Sequence, residues 1–212
     1  MDTMVRRVYL EKKDGFDMEA RRLKEGLAGF LGEKYPELAG LTGVRILKRY
    51  DADQLDEEQF EKITEAVFSE PQCDKVLYCA EVPLKKGERF FGVEYVPGQY
   101  DQRADSAEQC AELVTGIKPR IKTATIYLFE SPGKPLSDTA LEGVKKYLIN
   151  PVESREASAG LPLSLEENET EPPDVPVLTG FIQDSDFEKL AKQYGLAMSQ
   201  EDILFCRDYF AR

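Results

Sequence analysis

The stretch Asp101 to Gly116, DQRADSAEQCAELVTG, decides how this chain is read, because an earlier stretch follows the same plan. Asp17 to Gly32, DMEARRLKEGLAGFLG, stands 84 residues before it (101 − 17). Each opens on an aspartate able to cap a helix and closes on a glycine able to stop one. In the earlier stretch Leu23, Leu27, Phe30 and Leu31 recur at helical spacing, and Ala107, Ala111 and Val114 occupy the places of the first three.

Working outward, the same order of elements flanks both stretches. Val8 to Leu10 reads as a first strand, Val44 to Leu47 as a second, and Lys75 to Cys79 (KVLYC) as a third. A helix starts at Asp56, with Leu55 before the cap and Phe60 inside it forming a hydrophobic staple that Ile63 and Val67 extend. Leu136, Ser137, Leu141, Val144 and Leu148 match Leu55, Asp56, Phe60, Ile63 and Val67 at an offset of 81 (136 − 55). Pro151 matches Pro71 at 80 (151 − 71), which sets Val152 to Ala157 against the third strand. The spacing therefore predicts an α+β fold of tandem duplicated βαβαβ units, about 5–80 and 89–158, related by a pseudo-twofold. Such units pair sheet to sheet or edge to edge, burying what each leaves bare.

From Ala159 to Gly180 prolines and acidic residues alternate without a period, which reads as an exposed linker that does not pack. Beyond it, Asp184 or Ser185 can cap a short helix with Phe187, Leu190 and Ala191, closed by Gly195. Ser199 opens another, with Ile203, Leu204, Phe205 and Phe210 as its apolar positions. A two-helix hairpin of this size is marginal alone, so residues 181–212 are expected to be the start of a larger helical region and the chain a fragment.

Composition excludes several chemistries. There is no histidine, which removes imidazole acid/base work, Cys-His and Ser-His nucleophiles and His-bearing zinc sites. A formal charge of −12 repels phosphate backbones and anionic membranes, which argues against an RNA-binding sheet. No apolar run is long enough to span a bilayer and Met1 to Lys13 is charged, so a cytoplasmic location is expected. Cys73, Cys79, Cys110 and Cys206 read as reduced, mostly buried thiols. Phosphate-cradling glycine loops are missing, and the pairs Glu57-Glu58 and Glu166-Glu167 read as solvated charges.

Two polar segments remain as candidates. In Pro97 to Ser106 (PGQYDQRADS), Asp101, Arg103, Asp105 and Ser106 form an anion-receiving or docking surface at a helix N-terminus, or else only a turn, a cap and a solvated first turn. In Asn150 to Arg155 (NPVESR), Asn150, Glu153 and Arg155 make a fixed contact with another domain, or only a helix exit with a surface ion pair.

The segments Pro97 to Cys110 (PGQYDQRADSAEQC), Asn150 to Ser158 (NPVESREAS) and Gly195 to Phe210 (GLAMSQEDILFCRDYF), together with the repeat, resemble the N-terminal part of the large single-chain formylglycinamidine ribonucleotide synthetases, also called phosphoribosylformylglycinamidine synthases. The duplicated unit resembles a fused dimer of that family's separate small (PurS-like) subunit. The resemblance implies purine biosynthesis, in which a glutamine-dependent amidoligase uses ATP and magnesium to convert formylglycinamide ribonucleotide to formylglycinamidine ribonucleotide. It also implies that this segment holds the glutaminase and synthetase domains together, that it carries no catalytic, cofactor-binding or metal-binding residue of its own, and that a helical linker domain follows it. Gln99, Asp101, Gln102, Arg103, Asp105, Ser106, Asn150, Glu153 and Arg155 are then the expected inter-domain contacts, with self-association expected of the segment alone. The rival reading, from another class, is a stand-alone small-molecule-binding regulatory module, since duplicated βαβ-type units also occur in such domains.

Overall fold

Alternation along the strands sorts the side chains onto two faces of one sheet, which helices cover on one side only. The computed structural model describes residues 4–166 and 187–211. The chain forms two compact units, Met1–Glu167 and Asn168–Arg212. The first contains β1 (Arg6–Lys12), α1 (Met18–Leu31), α2 (Pro36–Ala39), β2 (Gly43–Ala52), α3 (Glu57–Ile63), β3 (Asp74–Leu77), β4 (Arg89–Tyr95), α4 (Gln102–Thr115), β5 (Ile121–Glu130), α5 (Asp138–Leu148) and β6 (Ser154–Ala157). The second contains α6 (Phe187–Tyr194) and α7 (Gln200–Phe210).

The fold is α+β, with a six-stranded antiparallel sheet in the order β3-β1-β2-β5-β4-β6. Its centre is the long β2–β5 pair, in register from Gly43 opposite Glu130 to Ala52 opposite Ile121. The two halves therefore meet edge to edge. Both strands are long and regular, so each removes the other's exposed edge from solvent.

On the helical face the core divides in two. Val8, Leu10, Tyr50, Ala52 and Ile121 of the sheet pack against Phe60 and Ile63 of α3 and against Ala104, Ala107 and Ala111 of α4. Phe91 and Phe129 pack against Leu27 of α1 and against Ala140, Leu141 and Val144 of α5. Each helix pair thus takes one member from each half. Small alanines on α4 let it approach closely, while the π-helical turn Thr64–Phe68 after α3 carries Phe68 onto Tyr50, ring on ring at 4.3 Å.

Helix starts follow the expected chemistry with one exception. Asp56 and Gln59 form a full capping box, Ser137 caps α5 through the Ala140 N–H, and Ser199 and Asp202 box α7. The staple partners are buried in both halves, Leu55 with Phe60 and Leu136 with Leu141. Asp17, however, makes no side-chain cap bond: its carboxylate accepts from the Gly15 N–H and pairs with Arg21. Gly32 ends α1 in a right-handed conformation, unlike Gly116, whose φ of 75° is the left-handed stop that glycine provides at little cost.

Tertiary packing overrides the apolar pattern at several other positions. Phe30 is 75% exposed and stacks on Tyr147 instead of entering the core, because the sheet contact of α1 is taken by Leu27. In the second unit Ile203 is buried, whereas Phe205 and Phe210 are exposed. Cys110 is exposed and the other three cysteines are half-buried, so none is a core thiol as expected. The third strand ends at Leu77, short of Cys79. The expected caps Asp184 and Ser185 and residues 167–180 lie outside the described residues.

The expected linker begins too early. Residues 159–166 are held against the face of the sheet that carries no helix, where Tyr9, Leu47, Ala124, Ile126 and Leu128 form a third core cluster. Arg7 donates to the carbonyls of Ala159 (2.7 Å) and Gly160 (3.0 Å), Arg49 donates to that of Ser158 (2.6 Å), and Leu165 is buried. Arg120 bridges Glu166 to the buried Asp53. These buried arginines have consumed the carbonyls that an unstructured linker would leave to water.

Gly143 is a second glycine that the packing requires. A Cβ added there would run into the ring of Tyr35, which lies across α5. Alanine has the better helix propensity by about 1 kcal/mol, yet Gly143→Ala is expected to destabilise by about 1–2 kcal/mol in urea titration through overpacking. In a Tyr35→Ala background the same change should become neutral or stabilising, and persistence of the loss would refute the steric assignment.

No helix among the described residues is long and apolar enough to cross a membrane.

Candidate functional site

The expected contact residues divide into three groups. Asp101, Gln102, Arg103, Ser106 and Glu153 line one cavity of about 530 Å³ on the helical face. Its floor is the helix-facing row of β5, Thr123, Thr125 and Tyr127, and its walls are the first turn of α4, the end of α5 at Leu148 and the turn into β6. Gln99 and Arg155 line a smaller neighbouring groove that shares Asp101. Asp105 and Asn150 line neither of these: Asp105 accepts hydrogen bonds from Tyr100 (2.9 Å) and Gln109 (2.7 Å), and Asn150 organises the turn.

Local chemistry explains how the motif is held. Asp101 caps α4 through the Ala104 N–H (3.0 Å), and its second oxygen accepts from the Thr123 hydroxyl at 2.7 Å, which ties the cap to the central strand. Gly98, at φ 83°, makes the turn that brings the chain to this cap. Glu108, one turn further on, accepts from the Ile121 N–H at 2.8 Å, and burial pushes its carboxyl pKa upward. In the Asn150 turn, the carbonyl of Asn150 accepts from the N–H groups of Glu153 and Ser154, and the Ser154 hydroxyl accepts from the Asn150 N–H. Arg155 pairs with Glu94 at 2.9 Å, so the surface ion pair describes it better than a free contact does.

Gln102, Arg103 and Ser106 are thereby presented on an anchored helix start, with no side-chain hydrogen bond or ion pair among the described residues. Arg103 also lines a second cavity, of about 440 Å³, bounded by the first turn of α1 and the turn before β3. Lys48, from the middle of β2, enters that cavity opposite Thr125 and pairs with Glu19 at 3.2 Å. Burial lowers the Lys48 pKa; Glu19 offsets part of this and the adjacent Arg103 adds to it. Burial likewise raises the phenols of Tyr50 and Tyr127.

Lys48, Thr125 and Tyr127 were not among the expected site residues. The sequence does hold a signal for Lys48: it shares strand parity with Ile46 and Tyr50, so a lysine in that row faces the helices and not bulk solvent.

Among the described residues no cluster of acidic and cysteine side chains has the makings of a metal site. The cavities mix cations with carboxylates, Arg103 with Asp101 and Glu153 in the first and Lys48 and Arg103 with Asp17, Glu19 and Asp74 in the second, beside hydroxyl donors, which suits recognition of a polar protein surface. A scan of the sequence against protein-family models matches none of them, and a search of curated proteins returns no significant match.

Proposed function

We propose that this chain is the N-terminal scaffold of a glutamine- and ATP-dependent amidoligase of purine biosynthesis, formed by two fused βαβαβ units that dock the glutaminase and synthetase domains. The observation that carries the proposal is the strand order β3-β1-β2-β5-β4-β6, which reads the same from either edge once the second three strands are matched to the first. The two halves meet through antiparallel pairing of β2 with β5, as equivalent strands of two copies do in an isologous dimer.

Backbone hydrogen bonds recur at the sequence offsets. Arg21 N–H to Asp17 is matched by Asp105 to Asp101, and Phe60 to Asp56 by Leu141 to Ser137. Cys73 and Asp74 to Glu70 are matched by Glu153 and Ser154 to Asn150. In both turns a side chain closes the loop, Asp74 accepting from the Glu70 N–H and Ser154 from the Asn150 N–H. These matches support a duplication, and with the three sequence segments they favour the scaffold over a regulatory module.

In this reading Arg103 and its neighbours keep two active centres in register for ammonia transfer in a cytoplasmic enzyme, with ATP and magnesium bound by the synthetase domain. Arg103→Ala in the full-length enzyme is expected to lower glutamine-dependent turnover several-fold more than ammonia-dependent turnover. Equal loss with both nitrogen donors would overturn the docking role.

A further inference from the structure

We propose that the second cavity, over β1 and β2, binds an uncharged small molecule with an apolar body and a carbonyl or ring-nitrogen acceptor, which it presents to the Tyr50 hydroxyl. The inference goes beyond the docking role and does not require it.

Tyr50, near the end of β2, is only 8% exposed, and Phe68 covers its ring in a stack at 4.3 Å. Its hydroxyl hydrogen-bonds no side chain or carbonyl among the described residues. A tyrosine this deeply buried normally finds a partner for its O–H, and one that does not needs a reason. Tyr9, the other buried tyrosine, has such a partner in Arg7. Tyr50 lines the second cavity, and Arg103, Asp74 and Lys12, whose charges act on its phenol, line it too. The hydroxyl is therefore the end of the ring that opens there. Burial raises the phenol pKa, which keeps the group protonated and able to donate.

Charge in this cavity is already balanced. Every carboxylate that lines it is ion-paired, Glu19 with Lys48 and Asp74 with Lys12 among them. The lining cations without an ion pair, Lys85 and Arg103, are exposed and satisfied by water. An anion or a cation entering here would lose its hydration and gain no free counter-charge.

What is left unmatched is a neutral donor beside apolar walls. Leu10, Ala20, Ile46 and Phe68 are buried residues that line the same space as Tyr50. An uncharged molecule can cover these walls and give the phenol its missing acceptor without breaking any ion pair. The volume, about 440 Å³, is of the size that small molecules occupy.

The test is titration of the chain with benzamide and nicotinamide, followed by calorimetry and NMR, beside benzoate and benzylammonium as charged molecules of similar size. At least one amide is expected to bind saturably, with amide shifts centred on Leu10, Tyr50 and Phe68, and both charged molecules to bind about tenfold more weakly or less. Tyr50→Phe keeps the ring and its stack and should weaken amide binding by about three- to tenfold, the loss of one hydrogen bond. Because the hydroxyl satisfies nothing in the fold, the same variant should melt no lower than the parent chain. Absence of saturable amide binding, tighter binding of a charged molecule, unchanged amide affinity in Tyr50→Phe, or a drop in its melting temperature would each overturn the site. The nitrogen-donor ratio of the parent enzyme is a separate measurement, so the docking role and this site can fail independently.

Discussion

Arg7→Ala is expected to cost the first unit about 3–5 kcal/mol in chemical denaturation, a large fraction of the stability of a domain this size. Arg7 lies in β1 on the helix-free face, and its guanidinium meets both oxygens of Asp51, itself 1% exposed. Its remaining donors reach the carbonyls of Ala80, Ala159 and Gly160. Truncation would therefore leave a buried carboxylate with only Arg49 beside it and would release two segments, one after β3 and one after β6. The penalty arises from uncompensated burial and not from the intrinsic strength of the pair. The double replacement Arg7→Met with Asp51→Leu should accordingly recover much of the loss. A cost under about 1 kcal/mol for Arg7→Ala would show that water reaches Asp51 and that the network is not sealed.

Leu27→Ala should destabilise by a comparable amount, about 2–5 kcal/mol, while Phe30→Ala, three residues along the same helix, should cost no more than about 0.5 kcal/mol. Leu27 is fully buried and is the main anchor of α1 in the cluster shared with α5 and with Phe91 and Phe129. Phe30 keeps most of its ring in water and stacks on Tyr147. Since α1 and α5 come from different halves, loss of Leu27 loosens the contact between them as well as the helix itself. Equal effects of the two substitutions in thermal or urea unfolding would mean that α1 sits rotated by about one residue position.

Much of the fold was legible before any coordinates. Caps at Asp56, Ser137 and Ser199 and the staples at Leu55 and Leu136 are local signals, satisfied within a turn or two of chain, so sequence spacing reports them directly. The motif residues Asp101, Gln102, Arg103, Ser106 and Glu153 were likewise legible as a polar group, although not as the walls of one cavity.

What the sequence by itself determined is the succession of strands and helices and the helix starts at Asp56, Asp101, Ser137 and Ser199. Only the tertiary structure decided that β2 and β5 join at the centre of the sheet, that α3 pairs with α4 and α1 with α5, and that Phe30 stays outside while Arg7 and Asp51 go in. It alone brought Lys48 to Arg103, residues that lie far apart in the chain. The reason is physical: caps and periodicity are set by neighbours within a few residues, whereas burial, charge compensation and cavity lining depend on which distant surface arrives to exclude water.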